Sequence, residues 1–210
     1  MKKIKPVNAI EVKRTYLISD LVRRSDTGKD FLGPITIGQF KNKLIKVKKE
    51  VLSLPENVLN TMIAKTFTKR LVAFDTCDWY MGTFKPSEVG VWRRAGKLPL
   101  RWSNGSLKET AKYVKDALAT KSIKFKKNIR ARSVISNILK INVGLIQNEK
   151  YLLPIVFKGG SGTNGRKRLK KKMKGDIDDG CMRSIALTIN GAKDIKAYLG
   201  FPIKTNYRDK

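Results

Sequence analysis

Histidine is absent from all 210 residues of the chain. Its absence removes Ser-His and Cys-His nucleophile systems, histidine general-base nucleases and every Cys/His zinc module in one step. Cysteine is nearly absent too: Cys77 and Cys181 are the only two, far apart in sequence. Such a pair is expected as buried small apolar residues, not as a disulfide or a site. Any catalysis left has to run on carboxylates, lysine, tyrosine or a hard metal ion. Long apolar runs are missing as well. The longest clean stretch, Tyr151–Phe157, falls far short of the ~20 residues a membrane span needs, so no membrane partner is expected. The opening MKKIKPVNAI has cations but no apolar h-region after them, so no secretory signal is expected and the protein is read as one kept inside a cell.

Acids are the other scarcity: 17 Asp+Glu stand against 46 Lys+Arg, a net charge of +29. A compact body with that charge repels itself unless a polyanion neutralises it, so the expected partner is nucleic acid. Apolar content of 41% is normal, and the length suits one domain spanning residues 1–210. The charge is unevenly placed. Residues 117–175 hold 16 Lys+Arg and one acid, Glu149, a net +15. The first fifty residues hold 13 basic and 5 acidic residues, a milder segment in which residues 1–30 are a candidate basic arm.

Two capping-box patterns predict helices. Ser53-Leu-Pro-Glu56 is followed by Leu59, Met62, Ile63 and Thr66 at helical spacing, and Ser106-Leu-Lys-Glu109 by Ala111, Val114 and Leu118. Most other segments read as period-two strands: Asn8–Ile18, Leu44–Leu52, Val72–Met81, 141–145, Tyr151–Phe157, 184–190 and 197–203, with Asn190-Gly191 as a turn between the last two. About eight strands with two short helices predict a mainly β protein, an antiparallel sandwich or jelly roll, with an α+β sheet as the alternative.

The stretch GGSGTNGRKRLKKKMKGDIDDG, residues 159–180, sets a glycine-rich loop, a run of cations and three aspartates side by side. Arg166, Lys167, Arg168, Lys170, Lys171, Lys172 and Lys174 are seven cations in nine residues. Glycines before them free the backbone to follow phosphates, so 158–180 is a candidate basic nucleic-acid-binding loop. Lys121, Lys124, Lys126, Lys127, Arg130 and Arg132 extend the candidate binding set. The same run fits a nuclear-localisation patch. Between Cys77 and Gly105, Trp79, Tyr80, Trp92 and Trp102 alternate with Arg93, Arg94 and Arg101. Aromatics beside arginines stack unpaired bases, join protein contacts, or fill a core.

Asp176 and Asp178, spaced i, i+2, are candidate magnesium ligands. The wording KKKMKGDIDDGCMRSIALTING resembles the metal-binding signature of RusA-type Holliday junction resolvases. That resemblance implies Asp176 and Asp178 as metal ligands of a Mg-dependent, structure-selective nuclease. It departs where Asp179 replaces the expected asparagine, and where the expected lysine is missing or is Arg183 one place out of register. The competing reading is that these acids neutralise neighbouring lysines or bridge to another copy. In size and basicity the chain is similar to the coat proteins of small non-enveloped plant RNA viruses, the ourmiavirus group. That resemblance implies a jelly-roll capsid subunit enclosing single-stranded RNA as a homo-oligomer, in the virion and host cytoplasm. The favoured expectation is thus a structural RNA-packaging protein, not an enzyme, with no cofactor and no metal. The resolvase-like nuclease and a ribonucleoprotein component are the alternatives.

Overall fold

A computed structural model describes residues 1–24, 36–92, 95–120, 134–136, 138–139, 143–158 and 173–203. Their order begins with β1 (Lys2–Val7), α1 (Ala9–Arg23), α2 (Ile37–Leu52), α3 (Glu56–Asp75), β2 (Cys77–Phe84), β3 (Val89–Gly90) and α4 (Leu107–Ala119). It continues with α5 (Val143–Asn148), β4 (Ile155–Lys158), β5 (Gly175–Asp179), α6 (Cys181–Ile189) and β6 (Ile195–Pro202). The strands form one sheet in the order β1-β2-β6-β4-β5-β3. β2 pairs antiparallel with β1 and β6, and β4 antiparallel with β5, while β4–β6 and β3–β5 are parallel. This is an α/β protein, and it corrects the expected antiparallel jelly roll.

The correction comes from segments whose apolar residues look alternating but lie in helices. Asn8 accepts the Ile10 N–H through its side chain and so caps α1, where a strand was expected. α1 buries Val12, Lys13, Thr15, Tyr16, Leu17, Ile18, Ser19 and Val22, almost all round. A helix surrounded by structure needs no single apolar stripe, so its sequence carries little 3.6-residue signal. α6 is the same case, with Cys181, Arg183, Ser184, Ile185, Ala186 and Leu187 buried. In α2, Ile45 is exposed while Leu44, Val47 and Val51 are the buried set. The apparent alternation of Ile45 and Val47 was accidental there, and a Thr36–Gln39 capping box starts that helix. Segment 72–81 divides at Thr76 into the end of α3 and the start of β2.

Other expectations hold. Ser106 and Glu109 form a reciprocal capping box at the start of α4, which buries Leu107, Ala111 and Val114. α3 forms as expected, although Pro55 and not Ser53 is its N-cap, and it buries Leu59 and Ile63. β6 matches the expected last strand, and Gly191 turns the chain into it at φ 90°. Of the candidate basic arm 1–30, the described part is β1 and α1, and residues 25–30 lie outside the described residues. Cys77 and Cys181 are free and buried, and burial followed by the nearby Asp78 charge pushes the Cys77 thiol up to about 11.

The sheet face toward α1 and α3 carries Trp79, Phe157 and Tyr198. Phe74 of α3 stacks on Phe157 at 6.1 Å and meets Trp79 edge-on at 5.7 Å. Trp79 Nε1 donates to the Phe74 carbonyl at 2.8 Å, and Tyr198 hydroxyl donates to Glu11 Oε1 at 2.6 Å. Gly200 has no room for a side chain, because an added Cβ would lie 2.8 Å from the Trp79 ring and 3.2 Å from Phe157. This aromatic wall packs the sheet against α3.

Candidate functional site

β5 consists of Gly175-Asp-Ile-Asp-Asp179, and its three aspartates are 8% exposed or less. Burying carboxylates is costly unless each charge is matched by donors. Cations from three helices supply them. Arg70 of α3 donates Nε–H to Asp178 Oδ2 at 2.7 Å, and its Nη1 donates to the Tyr16 hydroxyl at 2.7 Å. Its guanidinium lies 4.5 Å from the Tyr16 ring centroid. Asp179 Oδ2 accepts from Ser19 Oγ at 2.7 Å and from Arg183 Nη2 at 2.8 Å. Its Oδ1 accepts from Arg23 Nη2 at 3.1 Å. Arg183 Nη1 also donates to Ser19 Oγ at 2.8 Å, which closes a small ring of bonds.

Gly180 makes this geometry available. It takes φ 88°, left-handed, between β5 and α6, and it turns the chain so that Arg183 returns to Asp179 one helical turn later. Burial alone would raise the Asp179 pKa. The neighbouring Arg23 and Arg183 charges and the Ser19 and Arg183 hydrogen bonds outweigh it and hold the carboxyl well below the usual range. Arg70 shifts the other way from its burial: desolvation opposes its charge, but the Asp178 charge and hydrogen bond, with Tyr16 and Asp179, together outweigh it and raise its pKa.

Register places Asp176 opposite Phe157, on the sheet face that Arg70 and Asp178 share. The i, i+2 spacing therefore brings Asp176 and Asp178 to one face, as the metal reading requires. A guanidinium, not open space, meets Asp178 there. A hard cation needs several oxygens turned toward one point, whereas Asp178 and Asp179 turn theirs toward Arg70, Arg23, Arg183 and Ser19. Among the described residues no group of three or more His, Cys, Asp or Glu is arranged to hold a metal. The donors around Asp178 and Asp179 do not fit magnesium in this arrangement: both carboxylates meet arginines of α1, α3 and α6, where neighbouring lysines were expected. Among the described residues, the cations that meet Asp178 and Asp179 are Arg23, Arg70 and Arg183. Of the basic run beside the aspartates in sequence, only Lys174 lies among the described residues, and it meets Glu88. A buried acidic cluster signals that partners exist, but only the fold says which.

Of the expected phosphate-binding residues, Lys121, Lys124, Lys126, Lys127, Arg130, Arg132, Arg166, Lys167, Arg168, Lys170, Lys171 and Lys172 lie outside the described residues. Lys174 is described and exposed. Its Nζ meets Glu88 Oε1 at 2.9 Å, and its backbone N–H donates to the Glu88 carbonyl at 2.9 Å. Lys158 closes β4 and pairs with Gly175 at the start of β5. The chain that carries the run 166–172 thus leaves and rejoins the sheet at a single end.

The aromatic candidates separate by role. Trp79 and Trp102 are core residues, Trp102 stacking on Tyr113 at 6.2 Å. Trp92 is 38% exposed. Arg101 is exposed, and Arg93 and Arg94 lie outside the described residues. Tyr80 is half-buried on the sheet face opposite Trp79, edge-on to Phe201 at 5.7 Å. Phe201 and Lys3 meet at Tyr80, and Lys158 lies by Phe201; Phe201 was not among the candidates, and no local pattern joins the three, which come from distant parts of the chain.

Many acids are taken up by ion pairs within the protein. Lys13 is buried against Asp75 at 2.7 Å and Glu56 at 3.0 Å, Glu149 holds Lys48 at 2.8 Å, and Asp20 holds Arg23 and Arg24. Among the described residues, Lys2, Lys3, Lys5, Lys41, Lys46 and Lys49 face solvent. No helix among the described residues is long and apolar enough to cross a membrane. Comparisons with protein-family models, with curated proteins and with solved structures find no match to this chain.

Proposed function

We propose that this protein binds nucleic acid, with RNA as the favoured form, through phosphate contacts from its basic surface, and that it does not cleave its ligand. The observation that carries the reading is the pairing of Asp178 with Arg70 and of Asp179 with Arg23 and Arg183. It assigns the one dense acidic cluster to the interior, so the +29 excess is left for an external polyanion. The multi-copy form of this reading is a coat subunit that packages RNA in a virion. Charge supports it, since a shell sets many cationic faces around one polyanion, and its subunit would be α/β in build. A ribonucleoprotein component shares the chemistry and differs in staying monomeric on RNA.

The test joins binding to cleavage. Branched, double-stranded and single-stranded substrates are incubated with the protein and Mg²⁺ or Mn²⁺. The expected result is bound, intact nucleic acid. Metal-dependent cleavage abolished in Asp176→Asn/Asp178→Asn would overturn the binding role in favour of the nuclease. Light scattering on the RNA complex then separates a closed particle from a single bound subunit.

A further inference from the structure

We infer that the end of the sheet where Tyr80 and Phe201 meet is a stacking platform for unpaired nucleobases, an inference that rests on the nucleic-acid reading above. Tyr80 lies on β2 and Phe201 on β6, neighbouring antiparallel strands, with the rings edge-on at 5.7 Å and 88°. Both are half-buried, while the aromatics of the other sheet face, Trp79 and Phe157, are sealed under Phe74. β2 is paired on both sides, by β1 and β6, and β6 by β2 and β4, so the rings stand on a rigid base.

Cations line this place. Lys3 Nζ of β1 lies 3.8 Å from the Tyr80 centroid and 4.0 Å from that of Phe201, and Lys158 Nζ of β4 lies 5.7 Å from Phe201. Lys158 pairs in register with Gly175 of β5. One acid is present as well, Asp78, exposed and paired in register with Phe201.

The Lys3 ammonium covers the ring faces that a base would use, so binding is an exchange. An ammonium over an exposed ring is worth about two- to fivefold in an equilibrium. A base stacked on an aromatic side chain is worth roughly 5- to 150-fold in affinity. Displacing Lys3 therefore favours the strand, and the freed ammonium is placed to take a phosphate. A base pair inside a duplex offers no free face for such stacking, so the platform selects single strands. A peptide partner would be chosen by apolar fit and would not need the lysines.

The experiment compares affinities for a single-stranded oligouridylate of about 12 nucleotides, within the usual span of such sites, for its paired duplex, and for inorganic polyphosphate of equal charge. Tyr80→Leu/Phe201→Leu is expected to lose about tenfold or more on the single strand and less than about twofold on polyphosphate. Asp78→Asn is expected to tighten both. Equal losses on both ligands, or none on the single strand, overturn the platform. Wild-type binding to neither ligand at low salt would instead withdraw the nucleic-acid reading beneath it. Ultraviolet crosslinking of the wild type to the oligouridylate needs no folded variant: adducts at Tyr80 or Phe201 support the platform, and adducts confined to other peptides overturn it.

Discussion

Arg70 and Asp178 are 108 positions apart in sequence and bonded at 2.7 Å, both nearly excluded from solvent. The pair ties α3 to β5, and it offsets the cost of burying Asp178, one of three aspartates that β5 places inside. Removing one partner leaves the other charge buried alone, which costs about 3–5 kcal/mol. Arg70→Met and Asp178→Leu are each expected to lose about that much stability, and the double variant to recover most of it. Denaturant unfolding of the four proteins reads the coupling directly.

Asp179 sets an expectation for acid. Its carboxyl is held below the ordinary 3.8 in the folded protein. Its contribution to stability is therefore complete above the unfolded value and is lost as pH falls below it toward the folded one. The stability gap between wild type and Asp179→Asn is expected to be constant from about pH 7 to 5 and to narrow below about pH 4. Thermal melts across that range check it. A gap that widens on acidification would assign the carboxyl a different environment.

Gly180 is a stringent position. At φ 88° any side chain is strained, and a Cβ would stand 3.1 Å from the Pro154 Cα and 3.0 Å from Arg183 Nη2. Gly180→Ala is expected to cost about 1–3 kcal/mol, enough to loosen the Asp179–Arg183 pair. The sensitive comparison is with Gly191→Ala, where φ is 90° but no atom lies within 4 Å of the added Cβ. The Gly180 variant should lose the more stability of the two.

The local chemistry of single elements was legible in the sequence where it depended on near neighbours. The Ser106–Glu109 box and the last strand are of that kind, since cap and alternation both act within a few residues. α1 and α6 were not legible as helices. Lys13, Ser19, Arg183 and Ser184 are polar yet buried, so the apolar stripe that marks a helix was interrupted, in the first three cases by residues that pair inside the fold. The expected metal pair, Asp176 and Asp178, does share a face, as its spacing implied. Its neighbour Arg70 comes from α3, and no spacing within β5 could name it. The ring pair of Tyr80 and Phe201 depends on β6 joining β2, a long-range pairing that local patterning does not reveal.

Sequence-independent phosphate contact has a further consequence for assembly. If the surface charge needs a polyanion, the free protein should resist self-association at low salt and associate only when RNA is added. Light scattering with and without RNA measures this. Association of the free protein, unchanged by RNA, would point to contacts other than charge.

The salt dependence of binding tests phosphate recognition most directly. Labelled single-stranded RNAs of unrelated sequence are titrated with the protein between about 50 and 200 mM salt, where release of condensed counterions from several phosphate contacts lowers affinity by roughly 10³–10⁵. The expected result is a steep linear fall of log affinity with log salt, with the same slope for every RNA. An affinity that does not change with salt would contradict the account.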